Sequence, residues 1–423
     1  MLDLLRRRPA FRRLWMAGTV SLVGDWLAFV AVSRLALDHG GGALALVGIL
    51  AAHSLPHACL SPIAGFVADR FDRRRLLVGI PLVQAAFTLA MALAAAAGAL
   101  VSLQVLVLVR SAFTAFMVPA ETAALRHTVE PPELLQANAI VSGTWSVTFV
   151  AGMALGGVLA ALGPVPAILV DACSFFLAAG LASGLPSLRP EGEREPRAAG
   201  VWGLVRAVPP ELWEALGHAR ARPALFRAVF SKVPCAVAGG MGWVSVNLLA
   251  DQAAPFGAAA VSLGILQSVR GLGTGLGPLG ISLLARGKEE PGRPLEHAAA
   301  LVTFASVAGF ALVRPWPLLL LGIALLWGIG GGSNWVLTSA SLQRLAPDVM
   351  IGRLSSIDDL STTTTMVVGA LLAALLVEAS FSLVAIGAMG AAVGLVSWIA
   401  LSLRRAEAPL SSGAPGVAPA PRI

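Results

Sequence analysis

Six ionisable side chains deep in otherwise apolar stretches are the first candidates for any chemistry this chain performs. Asp25 lies in "SLVGDWLAF", Arg110 in "VLVLVRSAF", Asp171 in "LVDACSFF" and Arg270 in "QSVRGLGTG", while His53 and His57 share "HSLPHAC". A carboxylate in such surroundings can carry a proton, offset a cation or bind a neighbouring helix; a guanidinium can hold an anion or pair with that carboxylate. Pairing of Asp25 with Arg110 or Arg270 would let protonation release the arginine. Asp171 reads as structural, and Arg270 can also snorkel to the nearer face. His53 and His57, four residues apart beside Pro56, fall on one helix face. Two imidazoles can begin a zinc site, but no third ligand or base follows at fixed spacing, which leaves polar packing at a proline kink or proton handling. Asn334 and Trp335 close the "GIGGGSNW" stretch, where Trp335 can stack on a ligand or anchor the helix. No nucleophile–base pair is visible, and Cys59, Cys173 and Cys235 lack ligand spacing. Gly271, Gly273, Gly275 and Gly277 lack the Lys-Ser/Thr of a phosphate loop. Neither an enzyme, a metal site nor a cofactor is expected.

The elements that must position these groups are membrane helices. Of the 423 residues 57% are hydrophobic and only 13% charged, with mean hydropathy +0.81, against about 25% charged in an average soluble domain. Twelve apolar runs of spanning length are expected near 14–36, 44–67, 76–98, 101–123, 138–161, 164–186, 226–249, 260–284, 296–313, 316–338, 356–378 and 381–403. Runs so long and continuous are α-helices, since lipid leaves no other partner for the backbone. The fold class is therefore all-α integral membrane.

Charge gives the sidedness. All but four of the 30 Lys and Arg (Arg34, Arg110, Arg270 and Arg314) lie in one set of connections, at the termini, or within about two turns of them. The positive-inside rule puts that side and both termini in the cytoplasm, so the +7 net charge is topological and nucleic acid is not a partner. The longest connection, 187–225, separates six spans from six and carries an amphipathic helix suited to the leaflet surface. "RRPAFRRLW" before the first span resembles "ARPALFRAVF" before the seventh, and "ALRHTVEPPELLQANAI" resembles "SLQRLAPDVMIGRLSSI". The common offset implies two parallel six-helix repeats. The expected domains are 1–186, the linker 187–225, 226–405 and a disordered tail, 406–423.

Between spans 2 and 3 stands "GFVADRFDRRRLL". It resembles the signature loop of the major facilitator superfamily, G-x-x-x-D-R-x-G-R-R, with Asp72 where the family has glycine. "FRRLWMAGTVSLVGDW", "VPAETAALRHTVEPPELLQANAI", "LVDACSFFLAAGL" and "LQRLAPDVMIGRLSSID" resemble one branch, the drug:proton antiporter-like exporters that include macrolide efflux proteins and the enterobactin exporter. The resemblance covers residues 10–405. It implies a cytoplasmic latch in which Gly65 permits close approach and Asp69, with Arg70 or Arg73, faces the start of helix 11 near Arg353. In the second-half loop "GISLLARGKEE" Leu284 stands where Asp69 would align, so the latch is one-sided. Helix 5 departs from the antiporter signature, with Met153 in place of proline, and helix 4 has Thr114 in place of glycine.

The resemblance implies a monomeric, multi-pass transporter of the plasma (inner) membrane that exports a small amphipathic molecule in exchange for protons. Two alternatives stay open at this stage. One is an uncoupled facilitator or exporter of lipid-like or siderophore-like cargo; the other is a non-transporting sensor or scaffold on the same fold.

Overall fold

The computed structural model describes residues 2–39, 41–188, 201–284, 293–347 and 350–403, side chains excepted at 2, 65–70, 135 and 201–207. Twelve long helices appear among them besides the linker helix, Val201–Arg220. The first six are α1 (Pro9–Asp38), α2 (Gly42–Arg70), α3 (Arg73–Ala96), α4 (Leu100–Thr128), α5 (Leu134–Ala161) and α6 (Pro164–Ser183). The second six are α7 (Val233–Ala253), α8 (Ala259–Leu284), α9 (Arg293–Phe310), α10 (Pro317–Leu345), α11 (Ile351–Glu378) and α12 (Leu383–Ser402). Ten are long and apolar enough to cross a membrane on those grounds alone; α8, which carries Arg270, and α9, which opens with Arg293 and Glu296, are not among them.

Packing repeats between the halves. In the first half α1 lies on α5 and α6, α2 on α4, and α3 on α4 and α6. In the second, α7 lies on α11 and α12, α8 on α10, and α9 on α10 and α12, the same scheme shifted by six helices. The halves meet along two further pairs, α5 with α8 and α2 with α11. This is the expected architecture of two parallel six-helix repeats.

Small residues make the close approaches possible. A Cβ on Gly156 would stand 2.8 Å from the Leu27 carbonyl of α1, and one on Gly157 would stand 2.9 Å from Gly264 Cα of α8. Lipid offers no hydrophobic drive for helices to associate, so such backbone-to-backbone contact supplies the dispersion energy that holds the helices together.

The two ends of the molecule pack differently. Towards the end holding the α1–α2 turn, one continuous core joins Leu27, Val30 and Met153 of the first half to Val246, Leu249 and Leu263 of the second. Arg34 of α1 reaches across to Asp251 of α7 and also pairs with Asp38. At the opposite, arginine-rich end the cores are separate. One contains Leu4, Phe11, Leu77 and Leu125, and the other Ala215, Leu225, Leu342 and Leu354. The halves are thus closed at the first end and parted at the basic end.

The seventh span departs from its expected single run. It is split into a short helix, Pro223–Phe230, and α7, with a turn at Ser231 and Lys232. Pro234 in the first turn of α7 has no N–H to continue a preceding helix, so the chain breaks there. The helix of the linker, Val201–Arg220, is present. Helix α11 begins at Ile351, earlier than its apolar run.

Candidate functional site

Three of the expected site residues meet in the first half. Arg110 Nη1 stands 2.8 Å from Asp25 Oδ1 of α1 and 2.8 Å from Asp171 Oδ2 of α6. Side-chain exposure is 4% for Arg110, 0% for Asp171 and 17% for Asp25, so Asp25 is the least buried of the three. Ser174 Oγ donates to the Asp171 carbonyl at 2.8 Å, and Arg110 lies 5.6 Å over the Phe175 ring. Gly24 makes room for this junction: a Cβ there would be 2.6 Å from Asp171 Oδ1 and 2.8 Å from Ser174 Cβ. Asp171 is therefore a full partner of the arginine. Two carboxylates share one guanidinium, and one negative charge is left over when both are ionised. In a low-dielectric site that imbalance is costly, and a proton is the smallest charge that removes it.

An aromatic group stands beside the cluster. Trp26 follows Asp25 and packs on Phe149 at 4.8 Å, Trp145 at 5.9 Å and His53 at 6.3 Å between centroids. Phe29 lies 4.8 Å from His53 and 6.0 Å from Trp243 of α7. Trp26 Nε1 is buried without a partner. Arg270 of α8 continues the group from the other half, 5.4 Å from Phe149 and 5.1 Å from Trp327, with its Nε donating to Gln267 at 2.7 Å. Arg270 thus lies between aromatic rings and, among the described residues, has no carboxylate partner. Asn334 is buried in α10, and half-exposed Trp335 lies outside the aromatic group.

The residues expected at the latch are distributed as follows. Gly65, Asp69 and Arg70 lie in the last turns of α2, outside the residues whose side chains are described. Arg73 is buried and donates to the Leu188 carbonyl at 3.3 Å. Arg353, at the start of α11, pairs with Glu211 at 3.2 Å and Glu214 at 3.4 Å, both on the linker helix. Asp72 caps α3 by accepting from the Arg74 amide at 3.0 Å and ties the loop to the end of α6 through Ser187 at 2.9 Å and the Leu188 amide at 3.1 Å. Burial pushes the Asp72 carboxyl up, but these three hydrogen bonds and the Arg75 charge outweigh it and hold the group below the ordinary aspartate value. His57 lines a cavity at the basic end and does not join His53 among the rings.

Two further features were not singled out from the sequence. Lys232, at the break before α7, pairs with Asp358 of α11 and lies 4.3 Å over the Trp335 ring. Asp358 is therefore a buried partner of Lys232 in the third turn of α11. The signal was available, because Lys232 is one of only two lysines in the chain and stands inside an apolar run. Glu121 is half-buried in α4 facing Gly18 of α1, where a Cβ would stand 3.3 Å from its Oε1.

The comparisons with known proteins agree with this architecture. The family model for the Major Facilitator Superfamily matches residues 14–234, and the chain belongs to that superfamily. The uncharacterised MFS-type transporter YfiS of Bacillus subtilis (strain 168) is 29% identical over 185 residues, 43% of this chain and 44% of that protein. YkuC of the same organism, also an uncharacterised MFS-type transporter, is 26% identical over 204 residues, 48% of this chain and 46% of that protein. The chain thus matches less than half the length of these relatives. Among solved structures, a variant of the nucleoside transporter NupG superposes with a TM-score of 0.74 at 11% identity, covering 93% of this chain and 99% of that one. The peptide transporter POT in complex with sulfate superposes with a TM-score of 0.69 at 17% identity, over 93% and 94%. At these identities the likeness is one of fold.

Proposed function

We propose that the protein is a proton-coupled exporter of a small amphipathic molecule, of the drug:proton antiporter-like kind, with its basic end facing the cytoplasm. The observation that carries this reading is the Asp25–Arg110–Asp171 cluster, two carboxylates on one buried guanidinium, of which Asp25 is the less buried. Protonation of Asp25 weakens its hold on Arg110. Because Trp26 is the next residue, a change at Asp25 is passed to the aromatic group shared by both halves, where the apolar part of a cargo would sit. The halves 1–186 and 226–405 then rock about the α5–α8 and α2–α11 seams, so that closure moves from one end to the other. The sidedness rests on the arginines of the basic end, and the direction of transport on the resemblance to exporters.

The test is efflux of fluorescent amphipathic probes, one cationic and one anionic, from proteoliposomes of known orientation, with and without an imposed pH gradient, for the native protein and Asp25→Asn; the reading needs gradient-driven efflux of at least one of them. Gradient-driven efflux by the native protein and its loss in the variant are expected. Equal gradient-driven efflux by both removes Asp25 from coupling, and efflux indifferent to the gradient makes the protein a facilitator.

A further inference from the structure

The basic end holds a cavity of about 550 Å³, within the range of small-molecule sites, walled by α2, α3 and α4 of the first half and by α11 of the second. His57, Arg73, Arg126 and His127 line it, with Ser355 and Ser356 supplying hydroxyls from across the gap. Among the described lining residues there is no carboxylate. The nearest acidic neighbour in sequence, Asp72, is committed to Arg74, Ser187 and Leu188.

Arg126 and His127 close the last turn of α4, and cations there have an ordinary reason to exist, since helix C-termini favour them. Arg73 and His57 do not share that reason. Arg73 is 7% exposed, and its Nε is buried without a partner; His57 Nδ1 is buried and unpartnered as well. A buried polar atom left unpaired costs a large part of its hydration, so the Arg73 N–H and the His57 ring nitrogen, both beside this cavity, mark a place where polar partners are missing. A positively lined cavity whose donors are arrayed on separate helices suits a group with three or more acceptor oxygens better than a planar carboxylate.

We infer that this cavity receives a phosphate-type oxyanion, carried as the head of the amphipathic cargo. This identification of the cargo rests on the transporter reading above; the anion site itself does not. One turn deeper on α2, about 6 Å at 1.5 Å per residue, His53 packs against Phe29 and Trp26. A head held at His57 and Arg73 therefore places an attached apolar chain at the aromatic group. Because Ser355 and Ser356 belong to the other half, occupancy also links the two halves at the end where they are parted.

The experiment is calorimetric titration of the purified full-length protein in neutral detergent with octyl phosphate, inorganic phosphate and octyltrimethylammonium. Octyl phosphate is expected to bind at least tenfold more tightly than either of the others, and Arg126→Gln and His57→Gln are each expected to weaken it tenfold or more. Arg73→Gln should do the same, but Arg73 also holds the Leu188 carbonyl, so the other two variants decide the question if it fails to fold. Equal affinity for octyl phosphate and octyltrimethylammonium, or affinity untouched in Arg126→Gln and His57→Gln, overturns the site. Inorganic phosphate binding as tightly as octyl phosphate overturns the amphipathic cargo. Loss of octyl phosphate binding in nanodiscs containing phosphatidic acid, but not in phosphatidylcholine nanodiscs, makes the occupant a bilayer lipid and also overturns the cargo. Titration needs no gradient, so its result is separable from transport. Cation efflux without octyl phosphate binding would sink the anion site alone, and binding without movement of any cargo would sink the transporter reading alone.

Discussion

Gly24→Ala is the sharpest perturbation of the charge cluster, because it adds one methyl group and alters no charged residue. The new Cβ would stand 2.6 Å from Asp171 Oδ1 and 2.8 Å from Ser174 Cβ, and closer still to Ser174 Oγ. Ordinary contact begins near 3.4 Å, so the Asp171 carboxylate must retreat by about 0.8 Å. Overpacking of this kind costs about 1–3 kcal/mol. Arg110 is held by the other carboxylate oxygen, Oδ2, at 2.8 Å, and if the retreat breaks that charge-assisted bond the cost rises by about 1.5–3 kcal/mol. The expected loss is therefore about 1–6 kcal/mol, its lower end set by overpacking alone. It can be read from unfolding of the purified protein on titration with dodecyl sulfate, followed by tryptophan fluorescence. Ser174→Ala alone should cost about 1 kcal/mol for its lost hydrogen bond. In the double variant the nearest clashing atom is gone, so the two effects should fall short of additive by about 1 kcal/mol or more. A Gly24→Ala protein within 0.5 kcal/mol of native, or strict additivity of the pair, would refute the claim that Gly24 exists to admit the α6 junction.

Other expectations follow from the same geometry. Arg110→Gln leaves two buried carboxylates facing one another and should cost about 3–5 kcal/mol, and adding Asp171→Asn should recover part of that loss in the same unfolding assay. Gly332→Ala would drive a Cβ to 2.8 Å from the Thr274 Cα, whereas a Cβ on Gly331 meets nothing within 4 Å; the first should markedly lower the yield of folded protein and the second should leave it unchanged. Arg34→Gln releases Asp251 across the closed end; a partly exposed pair contributes about 0.2–1 kcal/mol, so pulsed EPR between labels at His39 and Gln252 should show the separated population rising by up to about fivefold. Because Asp72 is held below its unfolded value, its contribution is present at neutral pH and is lost as pH falls through the folded value. The stability gap between native and Asp72→Ala protein, about 0.5–2 kcal/mol at pH 7, should close below about pH 3.9.

The spans were legible because a bilayer accepts one solution for a long apolar run, and ten of the twelve helices are recognisable from length and apolarity alone. Their extension at the basic end was less so. Helices α4 and α10 continue to Thr128 and Leu345, past their apolar runs, because polar side chains can prolong a helix into water. The break at Ser231 and Lys232 was hidden because hydropathy does not register a missing N–H, although Pro234 announced it. Asp25, Arg110 and Asp171 could be found individually by their cost in lipid. Their union could not, because it depends on how three helices distant in sequence pack, and the sign of that packing lies in Gly24, a residue that reads as one small residue among many. Lys232 and Asp358 were missed for a related reason. Each sits close enough to a helix end to pass as an ordinary interfacial charge until the other is seen beside it.

The order in which the cluster's members occur in the chain has a consequence for synthesis. Asp25 enters the membrane first, Arg110 arrives with α4, and Asp171 follows only with α6. A lone charge at the centre of a helix costs about 2.5–3.5 kcal/mol on insertion. At roughly 5–20 residues per second, Asp25 waits on the order of four to seventeen seconds for Arg110. The first half cannot be released into lipid helix by helix at low cost; α1 must be retained beside the insertion channel until α4 brings the arginine that neutralises Asp25, and α6 then adds the second carboxylate, which leaves the set one proton short of neutral. The same cluster proposed to carry protons in the mature transporter is therefore also a checkpoint on its assembly, passed once, during birth.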